Sequence, residues 1–103
     1  MTQAYISIGS NIEAKKNIAK VKKELNQLFI CTFSDNFYSE AEGFEGKDFI
    51  NLVAGFETSL DAVKLTQTLK NLEKKIGRES NQKGMHDRVI DLDLILLGDL
   101  IAQ

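Results

Sequence analysis

Residues 49–56 read Phe-Ile-Asn-Leu-Val-Ala-Gly-Phe. Side chains alternate along a strand, so Ile50, Leu52, Ala54 and Phe56 share one face and Phe49, Asn51, Val53 and Gly55 the other. A strand over 48–58 with one apolar and one mixed face needs a cover on the apolar side only. The next segment supplies it. Leu65, Leu69, Leu72 and Ile76 recur at helical spacing, which predicts a helix from about Asp61 to Ile76. Thr58 or Ser59 can cap its start, and Gly77 can end it in the left-handed conformation. After a polar loop from Glu79 to Asp87 a second strand follows over 89–97. Ile90, Leu92, Leu94 and Leu96 are expected on its covered face, with Asp91, Asp93 and Ile95 opposite.

Upstream the same pattern recurs. Residues 29–39 are rich in Phe, Ile, Thr and Tyr and read as a strand, with Ser34-Asp35-Asn36 able to bulge or bend it. Glu40 to Lys47, with Gly43 and Gly46, reads as a loop. Ala14, Ile18, Val21, Leu25 and Leu28 form one helical stripe. Ser10 and Glu13 have capping-box spacing ahead of it. Lys15, Lys16, Lys20, Lys22 and Lys23 fall around the rest of that helix as a solvated surface. Residues 4–9 alternate as a half-buried strand, with Ala4, Ile6 and Ile8 inward. The order is β-α-β-β-α-β. The expected class is α+β: a ferredoxin-like βαββαβ domain over 1–103, with two helices on one face of a four-stranded antiparallel sheet.

Composition narrows the function. The chain has 103 residues, 13 basic and 15 acidic, for a net charge of −2. This does not suggest a protein held to nucleic acid by charge. No apolar run is long enough to span a membrane, and no cationic N-region precedes an apolar stretch. Cys31 is the sole cysteine, so an internal disulfide and a cysteine metal cage are excluded. The expectation is a cytoplasmic protein with no nucleic-acid or membrane partner.

The sheet face away from the helices is expected to display Tyr5, Ser7, Phe49, Asn51, Asp91 and Asp93, although one bulge would flip part of it. Aspartate is disfavoured in strands, and Asp91-Leu92-Asp93 carries two in an apolar run. Their spacing puts both carboxylates on one face, about 7 Å apart along the strand. Like charges so placed repel unless a cation lies between them. Mg²⁺, which takes one or two carboxylates plus water and phosphate oxygens, would suit them. Two solvent-facing aspartates paired with Arg88 is the alternative. Arg88 and Arg78 are candidates for phosphate, or for ordinary salt bridges. Phe49 and Phe44 are candidates for a flat ring or for the core, and Asn51 for a heterocycle or a neighbouring strand. His86 reads as a solvated loop residue and Cys31 as a buried small one. Gly9-Ser10-Asn11 is too short for a phosphate loop.

Together these blocks resemble a known family. Tyr5-Ile6-Ser7-Ile8-Gly9-Ser10-Asn11 is similar to the opening of the 6-hydroxymethyl-7,8-dihydropterin pyrophosphokinases of folate biosynthesis. So are Phe49-Ile50-Asn51 with Phe56-Glu57-Thr58-Ser59-Leu60, and Leu72-Glu73 with Ile76-Gly77-Arg78. The run Arg88 to Gly98, with Asp91-Leu92-Asp93 inside it, resembles the family signature. The resemblance implies a transferase that moves the terminal diphosphate of ATP to the pterin hydroxymethyl group and releases AMP. It implies Mg²⁺ on Asp91 and Asp93, catalytic roles for these and for Arg88 and Arg78, ATP binding by Lys70, Glu73, Arg78 and Arg88, and pterin binding by Phe49 and Asn51. The chain is expected to be a short form, since the family continues beyond the metal strand with a Val-Pro-His motif, further basic residues and a second aromatic. It also has Met85-His86-Asp87-Arg88 where the family often has Trp-Gly-Pro-Arg, Ser80 for a loop arginine, and Glu40-Ala41-Glu42-Gly43 for a Thr-x-Pro loop. Two other readings stay open. One is a non-catalytic pterin- or nucleotide-binding relative. The other is an oligomeric structural module whose open sheet face, with Tyr5, Val53, Ile95 and Leu97, is closed by a second copy.

Overall fold

A computed structural model describes residues 1–11, 13–39, 49–80 and 90–101. The elements run β1 (Thr2–Ser10), α1 (Ala14–Leu28), β2 (Thr32–Phe33), β3 (Phe37–Ser39), β4 (Phe49–Thr58), α2 (Ala62–Ser80), β5 (Asp91–Leu97) and β6 (Leu100–Ile101). The class is α+β, as expected. The strand count is not: the antiparallel sheet has six strands among the described residues, in the order β2-β4-β1-β5-β6, with β3 also on β4.

Two local causes raise the count from four. The segment expected as one strand over 29–39 is broken at Ser34-Asp35-Asn36. There Ser34 takes over the pairing: its N–H donates to the Val53 carbonyl at 2.8 Å, and its hydroxyl accepts the Val53 N–H at 2.8 Å. A serine side chain thus replaces a backbone acceptor where the chain leaves the ladder. Past β5, Gly98 adopts φ +58° and turns the chain into β6. A left-handed residue in a two-residue hairpin favours glycine.

One face of the sheet is covered. Ala4, Ile6, Ile8, Ile50, Leu52, Ala54, Phe56, Ile90 and Leu92 form a single core with Ile18, Val21 and Leu25 of α1 and Leu65, Leu69, Leu72 and Ile76 of α2. The stripes expected of β1, β4 and α2 are buried, and that of α1 is buried as far as Leu25. Phe29 stacks on Phe56 with ring centroids 4.2 Å apart. It fills the place expected for Leu28, which ends α1 half exposed. Burial pushes the Cys31 thiol above its usual pKa.

Three boundaries differ from expectation. Glu13, at φ 43°, stands at the start of α1 without a side-chain cap, so Ser10 and Glu13 form no capping box. Ser10 instead completes β1 and is buried. At α2, Asp61 replaces Thr58 and Ser59 as the cap, its Oδ1 accepting the Lys64 N–H at 2.8 Å. Gly77 does not end α2, which continues to Ser80.

Candidate functional site

The two aspartates lie where alternation puts them. Asp91 pairs with Gly9 and Asp93 with Ser7. Leu92, between them, is buried against the helices. Both carboxylates therefore leave the sheet on its open face. Gly9 also pairs with Asn51, and Asn51 with Phe37. One row across the sheet thus reads Phe37, Asn51, Gly9, Asp91. Asn51 and Asp91 stand two strands apart, roughly 10 Å at the usual strand spacing.

Gly9 keeps this row low. A Cβ on it would come within 2.8 Å of the Asn51 Oδ1. The amide of Asn51 therefore lies over β1 towards the acidic pair, in space that any other residue at position 9 would fill. Phe49, half-buried, shares Asn51's face of β4.

The alternation fails after Leu94. Ile6 pairs with Leu94 but Tyr5 with Leu96, so Ile95 is an extra residue in a bulge. Leu96 consequently moves to the open face and Leu97 packs on the core. This reverses the expected sides of both leucines and leaves the aspartates untouched.

From α2, Lys70 and Glu73 reach β5. The Glu73 Oε2 accepts the Leu92 N–H at 2.6 Å. The Lys70 ammonium lies 3.3 Å from Glu73 Oε1 and 3.9 Å from Asp93 Oδ1. This stretch of β5 has β1 on one side and no strand on the other among the described residues, because β6 pairs only with Leu96 and Leu97. Glu73 thus occupies an open sheet edge.

Of the residues singled out from the sequence, Asp91, Asp93, Lys70 and Glu73 are brought together at β5, and Asn51 and Phe49 stand on the same open face. Arg78 belongs to α2, but its side chain lies outside the described residues, as do all of Arg88, Phe44 and His86. Phe37 was not singled out. It is 59% exposed and directly opposite Asn51. Its place depends on the break at 34–36, which no periodicity registers.

The donor set suits one kind of cation. Asp91 and Asp93 offer hard oxygen ligands on a single face, and a lysine already balances one of them. Groups of three or more metal-ligating side chains are absent among the described residues. Two carboxylates without a full protein cage is the arrangement Mg²⁺ uses when phosphate and water complete its shell.

An α+β sheet with one face packed on two helices and the other carrying an acidic pair, an amide and aromatic rings defines the class of this domain. Comparison with known proteins gives the particular kind. Residues 5–102 match the model of the family 7,8-dihydro-6-hydroxymethylpterin-pyrophosphokinase, and the chain belongs to that family. It is 32% identical over 108 residues to the 2-amino-4-hydroxy-6-hydroxymethyldihydropteridine pyrophosphokinase of Haemophilus influenzae, a match covering 100% of this chain and 67% of that one. The proteins of the same name from Porphyromonas gingivalis and Campylobacter jejuni are 28% and 36% identical, over 93% and 97% of this chain and 69% and 66% of theirs. The chain thus spans about two thirds of the length of these relatives.

Proposed function

We propose that this chain catalyses transfer of diphosphate from ATP to 6-hydroxymethyl-7,8-dihydropterin, releasing AMP, a step of folate biosynthesis. The observation that carries the reading is the open-face row of Asn51, Gly9 and Asp91, within a chain matched to the family over residues 5–102. It supports a ring-binding amide and a phosphate-binding acidic pair working side by side.

The reaction joins the hydroxymethyl oxygen to the β-phosphorus of ATP. The bond between that phosphorus and the oxygen bridging it to the α-phosphorus breaks, AMP leaves, and the hydroxyl proton passes to solvent. Such transfers depend on alignment and on neutralising phosphate charge. Asp91 and Asp93 would hold Mg²⁺, which would supply charge neutralisation to the phosphates. Phe49 packs on the pterin ring and Asn51 hydrogen-bonds its edge. Lys70, Arg78 and Arg88 belong to the nucleotide side, the two arginines meeting phosphate oxygens with paired N–H groups. We read residues 1–103 as one pyrophosphokinase-like domain of the cytoplasm. No helix among the described residues is long and apolar enough to cross a membrane. Taking β2 and β3 as one interrupted strand and β6 as a hairpin addition, we read the sheet as ferredoxin-like.

In the oligomeric-module reading, Leu96 takes the place on the open face expected for Leu97, which packs on the core. The deciding measurement is AMP release from Mg²⁺, ATP and 6-hydroxymethyl-7,8-dihydropterin. Pterin-dependent AMP that disappears in Asp91→Ala and Asp93→Ala is expected. Binding of either substrate without AMP would instead favour the non-catalytic relative.

A further inference from the structure

We infer that Glu73 is a positioning residue for the acidic pair, acting on the backbone between the two aspartates rather than on the nucleotide. This rests on the reading of Asp91 and Asp93 as the metal-holding residues. The Glu73 carboxylate accepts the N–H of Leu92 at 2.6 Å, with its side chain 18% exposed. Leu92 sends its side chain into the core and its neighbours' carboxylates out of the open face. Its N–H lies in the plane of the sheet, on the edge that β1 does not use. A hydrogen bond there touches neither aspartate, yet fixes the peptide groups from which both project.

The chemistry favours this role for a carboxylate. A charged acceptor makes a shorter and stronger bond to a backbone N–H than a neutral one. An edge N–H beside a helix loses water on packing, so removal of its acceptor leaves a donor unsatisfied. The neighbouring Lys70 ammonium lies 3.4 Å from the same Oε2 and 3.9 Å from Asp93 Oδ1. It balances the charge that a third carboxylate brings to an acidic site. The same Glu73 oxygen cannot accept from a nucleotide in good geometry without loosening Leu92.

Groups that orient metal ligands without touching the metal are typically worth roughly 10–100-fold in metal affinity. The test uses the whole chain with Glu73→Ala and Glu73→Gln, the second keeping an acceptor oxygen of similar reach. The first readout needs no metal or substrate: amide hydrogen exchange of Leu92, followed by NMR. Exchange at least about tenfold faster in Glu73→Ala, restored close to the parent rate in Glu73→Gln, is expected. The second is the Mg²⁺ concentration that half-saturates binding of a non-hydrolysable ATP analogue. It is expected to rise about tenfold in Glu73→Ala and to recover in Glu73→Gln, with analogue affinity in the absence of Mg²⁺ unchanged.

Unchanged Leu92 exchange in Glu73→Ala overturns the inference. So does a fall in metal-free nucleotide affinity in both variants, the mark of direct contact. Should Glu73→Ala not fold, Glu73→Gln decides alone: Leu92 exchange and Mg²⁺ dependence like the parent's support positioning, and loss of metal-free affinity refutes it. Failure of the pyrophosphokinase reading itself would appear elsewhere, as absence of AMP from the parent chain with Leu92 still protected by Glu73.

Discussion

Gly9 shows how one missing side chain shapes the face. It lies between Asn51 and Asp91 in the sheet, and a methyl group there would meet the Asn51 amide at 2.8 Å. The obstacle is the end of a short side chain, so the fold can survive by rotating Asn51 away. Gly9→Ala is therefore expected to cost about 1 kcal/mol or less in stability but to weaken pterin binding about tenfold or more, through loss of roughly one hydrogen bond's worth of affinity. Urea denaturation and titration with the pterin separate the two effects. Equal losses in both would mean that Asn51 does not face the ligand. At this scale the sequence was informative where chemistry met alternation: Asp91, Asp93 and Asn51 follow from two-residue periodicity. It was silent on Phe37, because facing Asn51 depends on how many residues the chain spends at the 34–36 break.

Among the elements, α1, α2, β1 and β4 were legible because each buries a stripe, and those stripes form the core together with Ile90 and Leu92. Their ends were less so. Ser10-Glu13 has the spacing of a capping box, yet Ser10 is claimed by β1 and its pairing with Ile50. Tertiary pairing outweighs a cap of about 1 kcal/mol. Gly77 reads as a helix stop, yet α2 runs through it, and its missing Cβ points into open space. Glycine inside a helix carries an entropic penalty, and a Cβ at this position would meet nothing within 4 Å. Gly77→Ala is expected to stabilise the chain by about 0.5–1 kcal/mol. Thermal unfolding checks this, and a lower midpoint would show that Gly77 serves a backbone need that the helix geometry does not display.

For the molecule as a whole, ligand binding and folding share one free energy. The open face exists only when β4, β1 and β5 are in register, so a ligand bound to it holds the sheet together. Mg²⁺-ATP at about 100 times its dissociation constant is expected to add about 2.7 kcal/mol to unfolding stability. The part that requires Mg²⁺ is expected to vanish in Asp91→Asn combined with Asp93→Asn, as differential scanning calorimetry would record. An undiminished Mg²⁺-dependent gain in that variant would move the cation elsewhere. Sheet order also makes β5 a strand with two masters. Its first half is registered by Ile8 and Ser7, its second by Tyr5 and Ala4, and Ile95 stands unmatched between them. The strand therefore carries slack, one residue more than the distance it crosses. Deleting Ile95 removes length without breaking any partnership: Asp93 stays opposite Ser7, and Leu97 stays opposite Ala4. A deletion in the middle of a strand ordinarily turns everything beyond it inside out. Here it is expected to leave a folded protein with both ends of β5 facing as before, which the amide spectrum would reveal. The acidic end and the hairpin end are in this sense separately mounted, and a change in length at their joint is absorbed there.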